Sequence, residues 1–123
     1  PKPQLIRVFV NLITNAIQAV EIHQKEVFEN TGETVPGKIV ICLRNSTKDG
    51  YYDIVFDDNG PGVKEENQHK LFTPNFTTKT GGTGLGLAIC RNIITKCEGE
   101  ISYRKSYALG GASFIVTLPR HKE

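Results

Sequence analysis

Between residues 4 and 27, the stretch QLIRVFVNLITNAIQAVEIHQKEV repeats its apolar positions at helical spacing, and Asn30, Gly32 and Pro36 punctuate its end, which predicts one long helix. Leu5, Val8, Phe9, Leu12, Ile13, Ala16, Ile17, Ala19 and Val20 cover most of its surface, so the pattern also predicts that this helix is largely buried. Residues 38–44 (KIVICLR) and 51–57 (YYDIVFD) are β-branched or aromatic and are joined by NSTKDG, the signature of an antiparallel hairpin. Residues 59–82 hold Gly60, Gly62, Gly81, Gly82 and two prolines, which predicts a mobile segment with one short helix over 65–71. Helical spacing resumes over 84–97 and Gly99 ends it; EISYRK and ASFIVTL then form a second hairpin around SYALGG, with Pro119 stopping the last strand. Helices set apart from antiparallel hairpins predict an α+β domain, a two-layer α/β sandwich, rather than alternating βαβ units.

Composition narrows the class. The 123 residues, 38% hydrophobic and 23% charged, suit one globular domain over the whole chain. A net charge of +2, from 15 basic and 13 acidic residues, points to no nucleic-acid footprint, so any anion site must be local. No apolar stretch is read as a membrane span, and PKPQLIRVF lacks the shape of a signal peptide. Cys42, Cys90 and Cys97, odd in number and inside apolar segments, predict buried thiols in a reducing, cytoplasmic setting.

Three stretches carry candidate chemistry. In NFTTKTGGTGLGLAI, Gly82, Gly84 and Gly86 precede an apolar run, but the stretch matches neither the dinucleotide fingerprint nor the hydrolase phosphate loop. The remaining physics is close backbone approach and unpaired N–H groups at a helix start, which suit an anion; a tight turn before a core helix explains the glycines equally well. Along the first helix, Arg7, Asn11, Asn15 and Gln18 are spaced by four, four and three and so share a face. Amide oxygens there suit Mg2+ when phosphates supply the negative charge, and a solvated polar stripe is the alternative. In Asp57-Asp58-Asn59-Gly60-Pro61-Gly62, a carboxylate at the strand end can accept a hydrogen bond from the exocyclic amine of adenine but not from guanine's carbonyl, though the same letters also make an ordinary turn.

Together these residues resemble a known family. NLITNAIQAV resembles the asparagine box, DDNGPGV the first glycine box, LFTPNFTTK the phenylalanine box and GGTGLGLAI the second glycine box of the catalytic ATP-binding domain of sensor histidine kinases. The superfamily also holds gyrase, MutL and one class of heat-shock chaperone. The four boxes stand in the family's order, and the resemblance runs to the closing GEISYRKSYALGGASFIVTLP. It implies the Bergerat fold, with helices on one face of a mixed, mostly antiparallel sheet and ATP beneath a lid. Asn15 matches the asparagine that coordinates Mg2+, and Asn11 its partner near the phosphates. Asp58 matches the adenine-binding aspartate, with Gly60 and Gly62 as the glycines beside it. Phe72 and Phe76 match the aromatics that steady the lid, and Gly82, Gly84 and Gly86, with Leu85 among them, match the glycines behind the triphosphate. Thr77, Thr78, Lys79 and Thr83 are expected to contact phosphate, Lys79 as a charge for the transfer itself.

The resemblance implies a kinase that passes the γ-phosphate of Mg-ATP to a histidine on a dimeric helical hairpin, upstream of a response regulator. The isolated domain is expected to be monomeric and unable to phosphorylate itself. Three features depart from the family. Gln18 stands where many kinases carry a lysine near the phosphates; the chain starts almost at the first helix, where the family has a preceding strand; and neither His23 nor His121 is a phosphoacceptor. HKLFTP places His69 at phosphoacceptor spacing from Pro74, but Lys70 follows where the family uses a carboxylate. The alternatives are a hydrolase or serine-directed kinase of the same superfamily, whose glutamate base stands where this chain has Asn11, and a non-catalytic nucleotide sensor.

Overall fold

The computed structural model describes residues 2–74 and 86–120. In chain order they form α1 (Lys2–Thr31), β1 (Ile39–Asn45), β2 (Tyr51–Asp58), α2 (Glu65–Gln68), α3 (Gly86–Lys96), β3 (Glu100–Lys105) and β4 (Ala112–Pro119). α1 outlasts its predicted end at residue 27; Gly32 closes it at a φ of 75°, with its N–H donating to the Phe28 carbonyl at 2.8 Å. The short helix after β2 spans only Glu65–Gln68, its predicted remainder relaxing into turns, and β4 continues through Pro119 rather than stopping before it.

The two hairpins lie side by side in the order β1-β2-β4-β3, and among the described residues every pairing is antiparallel. α1 packs on β2, and α3 packs on α1 and β3, so the two long helices share one face of the sheet. Between the layers lie Val8, Leu12, Phe56, Cys90, Ile94, Phe114, Val116 and Leu118, joined by the ring contact of Phe9 with Phe56 at 6.0 Å between centroids.

This arrangement corrects the expectation that α1 is largely buried. Val8, Leu12, Ala16 and Val20, one per turn, are buried, whereas Ile6, Val10 and Ile17 are 59%, 55% and 44% exposed. A helix lying on one sheet buries a single stripe. The exposed flank is the one turned away from α3, toward β1, and there Ile41 and Leu43, opposite Phe56 and Ile54 in the register, are exposed as well. Neither long helix covers this edge of the sheet. The same position accounts for a second correction: Cys42, in edge strand β1, is exposed, while Cys97 is partly buried and Cys90 fully so.

α1 also overturns the reading that no segment could span a membrane, because Pro3–Thr31 is long and apolar enough by length and composition. Its buried stripe, seated on the sheet, is what a core helix requires, and core helices meet the same measure.

Candidate functional site

β2 ends at Asp58, and the chain then turns sharply beneath the C-terminal half of α1. The Asp58 carboxylate is 2% exposed. Its Oδ1 accepts the N–H groups of Gly60 at 2.9 Å and Ala112 at 3.2 Å, and its main-chain carbonyl accepts the N–H of Gly111 at 3.1 Å. Backbone donors of this kind are what a buried carboxylate needs to offset desolvation. Gly111 can come close enough to donate to the Asp58 carbonyl only because it has no side chain: a Cβ there would lie 2.5 Å from both the carbonyl oxygen and Oδ1 of Asp58. Gly60 is pressed on the other side against α1, where a Cβ would meet the Ala19 backbone at 2.9 Å.

The rest of the turn is braced in the same way. Asn59 accepts the Lys38 N–H at 2.9 Å and donates to the Pro36 carbonyl at 2.9 Å, tying the turn to the entry of β1. Gly62 takes a φ of 74°, and the next N–H, of Val63, donates to the Tyr103 hydroxyl at 3.0 Å.

A second cluster forms where the N-terminal half of α1 meets the start of α3. The half-buried Asn11 amide lies against Gly86, so that a Cβ on Gly86 would be 2.7 Å from Nδ2 and 3.1 Å from Oδ1. One turn further along α3, Cys90 is 1% exposed; burial pushes its thiol up to about 11, while a hydrogen bond from Asn11 and the charge of Arg7 pull the other way. Asn15, one turn on from Asn11, is half-buried and has an interaction partner of its own, and Gln18 is exposed on the same stripe. Phe72 sits behind this region, edge-on to Phe114 at 6.3 Å.

Asn11 and Ala19 are eight residues apart, about 12 Å along an α-helix. One side of α1 therefore runs between two fixed points: the carboxylate corner at Asp58 and the first turn of α3 at Gly86. Of the sequence-predicted residues, Asn11, Asn15, Gln18, Asp58, Gly60 and Gly86 lie along this run, Gly62 lies in the turn beside Gly111 and Tyr103, and Phe72 packs on the core. Phe76, Thr77, Thr78, Lys79, Gly82, Thr83, Gly84 and Leu85 lie outside the described residues.

Sequence reasoning missed Asn59, Gly111, Tyr103, Ala19 and Cys90. The paired glycines of SYALGG held a signal for Gly111, read only as hairpin loop; contacts between residues 40 apart in the chain, such as Tyr103 with Val63, leave none.

The family profile described as "Histidine kinase-, DNA gyrase B-, and HSP90-like ATPase" matches residues 2–122. The chain belongs to this family. It is 34% identical over 120 residues to the sensor protein TdiS of Thauera aromatica, covering 96% of this chain and 20% of that protein. It is 36% identical over 115 residues to the signal transduction histidine-protein kinase AtoS of Escherichia coli, covering 94% of this chain and 16% of that one. The chain thus spans about a fifth of the length of its curated relatives. Among solved structures, the catalytic domain of histidine kinase ThkA superposes with a TM-score of 0.74 at 32% identity, over 97% of this chain and 69% of that one. The mycobacterial sensor histidine kinase MprB, at 23% identity, shares the fold with a TM-score of 0.75, over 97% and 72%. The two-layer architecture is therefore the Bergerat fold, and the chain is an ATPase-type domain of the sensor histidine kinase kind.

Proposed function

We propose that this domain binds Mg-ATP along α1 and donates the γ-phosphate to a histidine on a dimeric helical hairpin, in a pathway that ends at a response regulator. The observation that carries the reading is the fixed carboxylate of Asp58 at one end of the α1 run, with the Asn11–Gly86 contact at the other. A rigid acceptor suits the adenine amine, and the first-turn N–H groups of α3 suit phosphate. Among the described residues no group of three or more His, Cys, Asp or Glu could hold a metal. By its match to the asparagine box, Asn15 would offer Mg2+ its amide oxygen, with the nucleotide's own phosphates and water completing the set.

In this reading Asp58 selects the base, while Gly60 and Gly62 let the chain pass beside it. Asn11 and Asn15 orient the phosphates and the cation, with Gln18 at the rim, and Lys79 adds charge at the transferring group, with Thr77, Thr78 and Thr83 as phosphate ligands. Phe72 and Phe76 steady the segment between them, and Gly82, Gly84, Leu85 and Gly86 allow close backbone approach. Catalysis is then positioning and charge stabilisation. The Asn11 amide takes no proton at neutral pH, which favours transfer to a histidine over hydrolysis or serine phosphorylation. In this reading the domain works on the cytoplasmic side, where ATP is available, and is a monomer when isolated.

The test is calorimetry with Mg-ATP on the parent and Asp58→Asn, with thermal melts to verify folding. Replacing one carboxylate oxygen by an amine sets a donor against the adenine amine, so affinity should fall at least about tenfold, or 1.4 kcal/mol. Equal affinity in a folded variant would remove Asp58 from the site and the reading with it.

A further inference from the structure

A cavity of about 550 Å³ opens between α2, α3 and edge strand β3, with Phe72 in its wall and none of the α1 residues lining it. Its volume is in the range of small-molecule sites. Phe72, Ile101 and Tyr103 supply an apolar and aromatic wall, all three partly buried and packed against the core. Gln68, Arg91, Thr95, Glu100 and Ser102 supply the polar side chains.

The charges in it are unequal. Glu100 is engaged by Lys48 at 3.2 Å, whereas Arg91 has no acidic partner among the described residues. Gln68 donates one amide N–H to the Val63 carbonyl at 3.1 Å, and the Tyr103 hydroxyl accepts the Val63 N–H. Among the residues lining the cavity, the one positive charge is thus the exposed Arg91 guanidinium, beside an aromatic wall. A planar fork of donors is matched bidentately by a carboxylate, and the wall by a flat ring.

We propose that this cavity is a binding site for small aromatic carboxylates, with Arg91 taking the carboxylate and Phe72, Ile101 and Tyr103 the ring. The site is separate from the α1 run. It also touches both flanks of residues 75–85, since Phe72 lies just before that segment in sequence and α3 directly after it. A ligand here would not compete for Asp58, which does not line the cavity.

The test is a titration of the 15N-labelled domain with 1-naphthoate, read by amide chemical shifts, alongside the neutral 1-naphthalenemethanol. Saturable shifts should centre on Gln68, Phe72 and 101–103, and both Arg91→Gln and the loss of the carboxylate should weaken binding at least about fivefold. Arg91 is exposed, so Arg91→Gln should fold as the parent does. The proposal is overturned by any of three results: no saturable binding, equal affinity for the neutral analogue or for Arg91→Gln, or shifts centred instead on Asn11 and Asp58.

Discussion

Asp58 and Ile39 face each other across the β1–β2 ladder, yet the two strands of this hairpin lead different lives. β2 has neighbours on both sides and α1 above it, and its end is clamped by Gly60, Gly111 and Ala112. Among the described residues β1 has one neighbour and no long helix over it, so Ile41 and Leu43 on the helix-side face remain in solvent, as does Cys42 on the opposite face of this edge strand. Cys42 and Val55 are direct partners in the register, one exposed and the other 3% exposed. Residues of the same type serve as core on one strand and as surface on the next, because burial follows place in the sheet rather than the apolar pattern itself.

The strongest way to break this contrast is at the clamped end. Gly111→Ala puts a methyl against main-chain and carboxylate oxygens of Asp58 that are held by other bonds and cannot simply turn aside. The expected loss is about 2–4 kcal/mol, read as a lower midpoint in urea or heat. Because the same methyl pushes on the Gly60 N–H, Mg-ATP affinity should fall with it. A parental midpoint would mean that the corner gives way easily and that Asp58 is not rigidly placed.

The thiols sharpen the contrast by a different measure. With its thiol raised to about 11, Cys90 stays protonated until far above pH 8, and its burial shields it sterically as well. Alkylation at pH 8 followed by mass spectrometry should therefore mark Cys42 about a hundred times faster than Cys90, with Cys97 between them. Raising the pH toward 11 should speed Cys90 by ionisation. Similar rates for Cys42 and Cys90 at pH 8 would show that α3 opens readily from α1 and that the Asn11–Gly86 contact is loose.

Much of this fold was legible in periodicity. Both long helices and all four strands fall close to their predicted places, and the four glycine- and asparagine-bearing stretches pointed to the right family before any geometry. Strand order was not legible, since nothing local says that β2 pairs with β4 rather than with β3. Without that order, neither the exposure of Cys42 nor the reach of Gly111 to Asp58, 53 residues earlier in the chain, could be read. The reading of α1 as buried failed for the same reason: its apolar surface is wider than the one stripe that a single sheet can cover.

The smallest expected effect tests the edge itself. Leu43 is 68% exposed, so Leu43→Thr forfeits little buried area, and threonine suits an extended backbone. The change should cost less than about 0.5 kcal/mol. Val55→Thr, next to Leu43's partner Ile54 on the central strand, keeps the side-chain shape but places a hydroxyl where the residue is 3% exposed, and should cost about 1–3 kcal/mol. The pair of midpoints from denaturant titration isolates position from side-chain type, because both variants end as threonine in neighbouring strands of one ladder. If Leu43→Thr proved as costly as Val55→Thr, the exposed flank of α1 and β1 would have to be covered in solution, and the two strands of the hairpin would be alike after all.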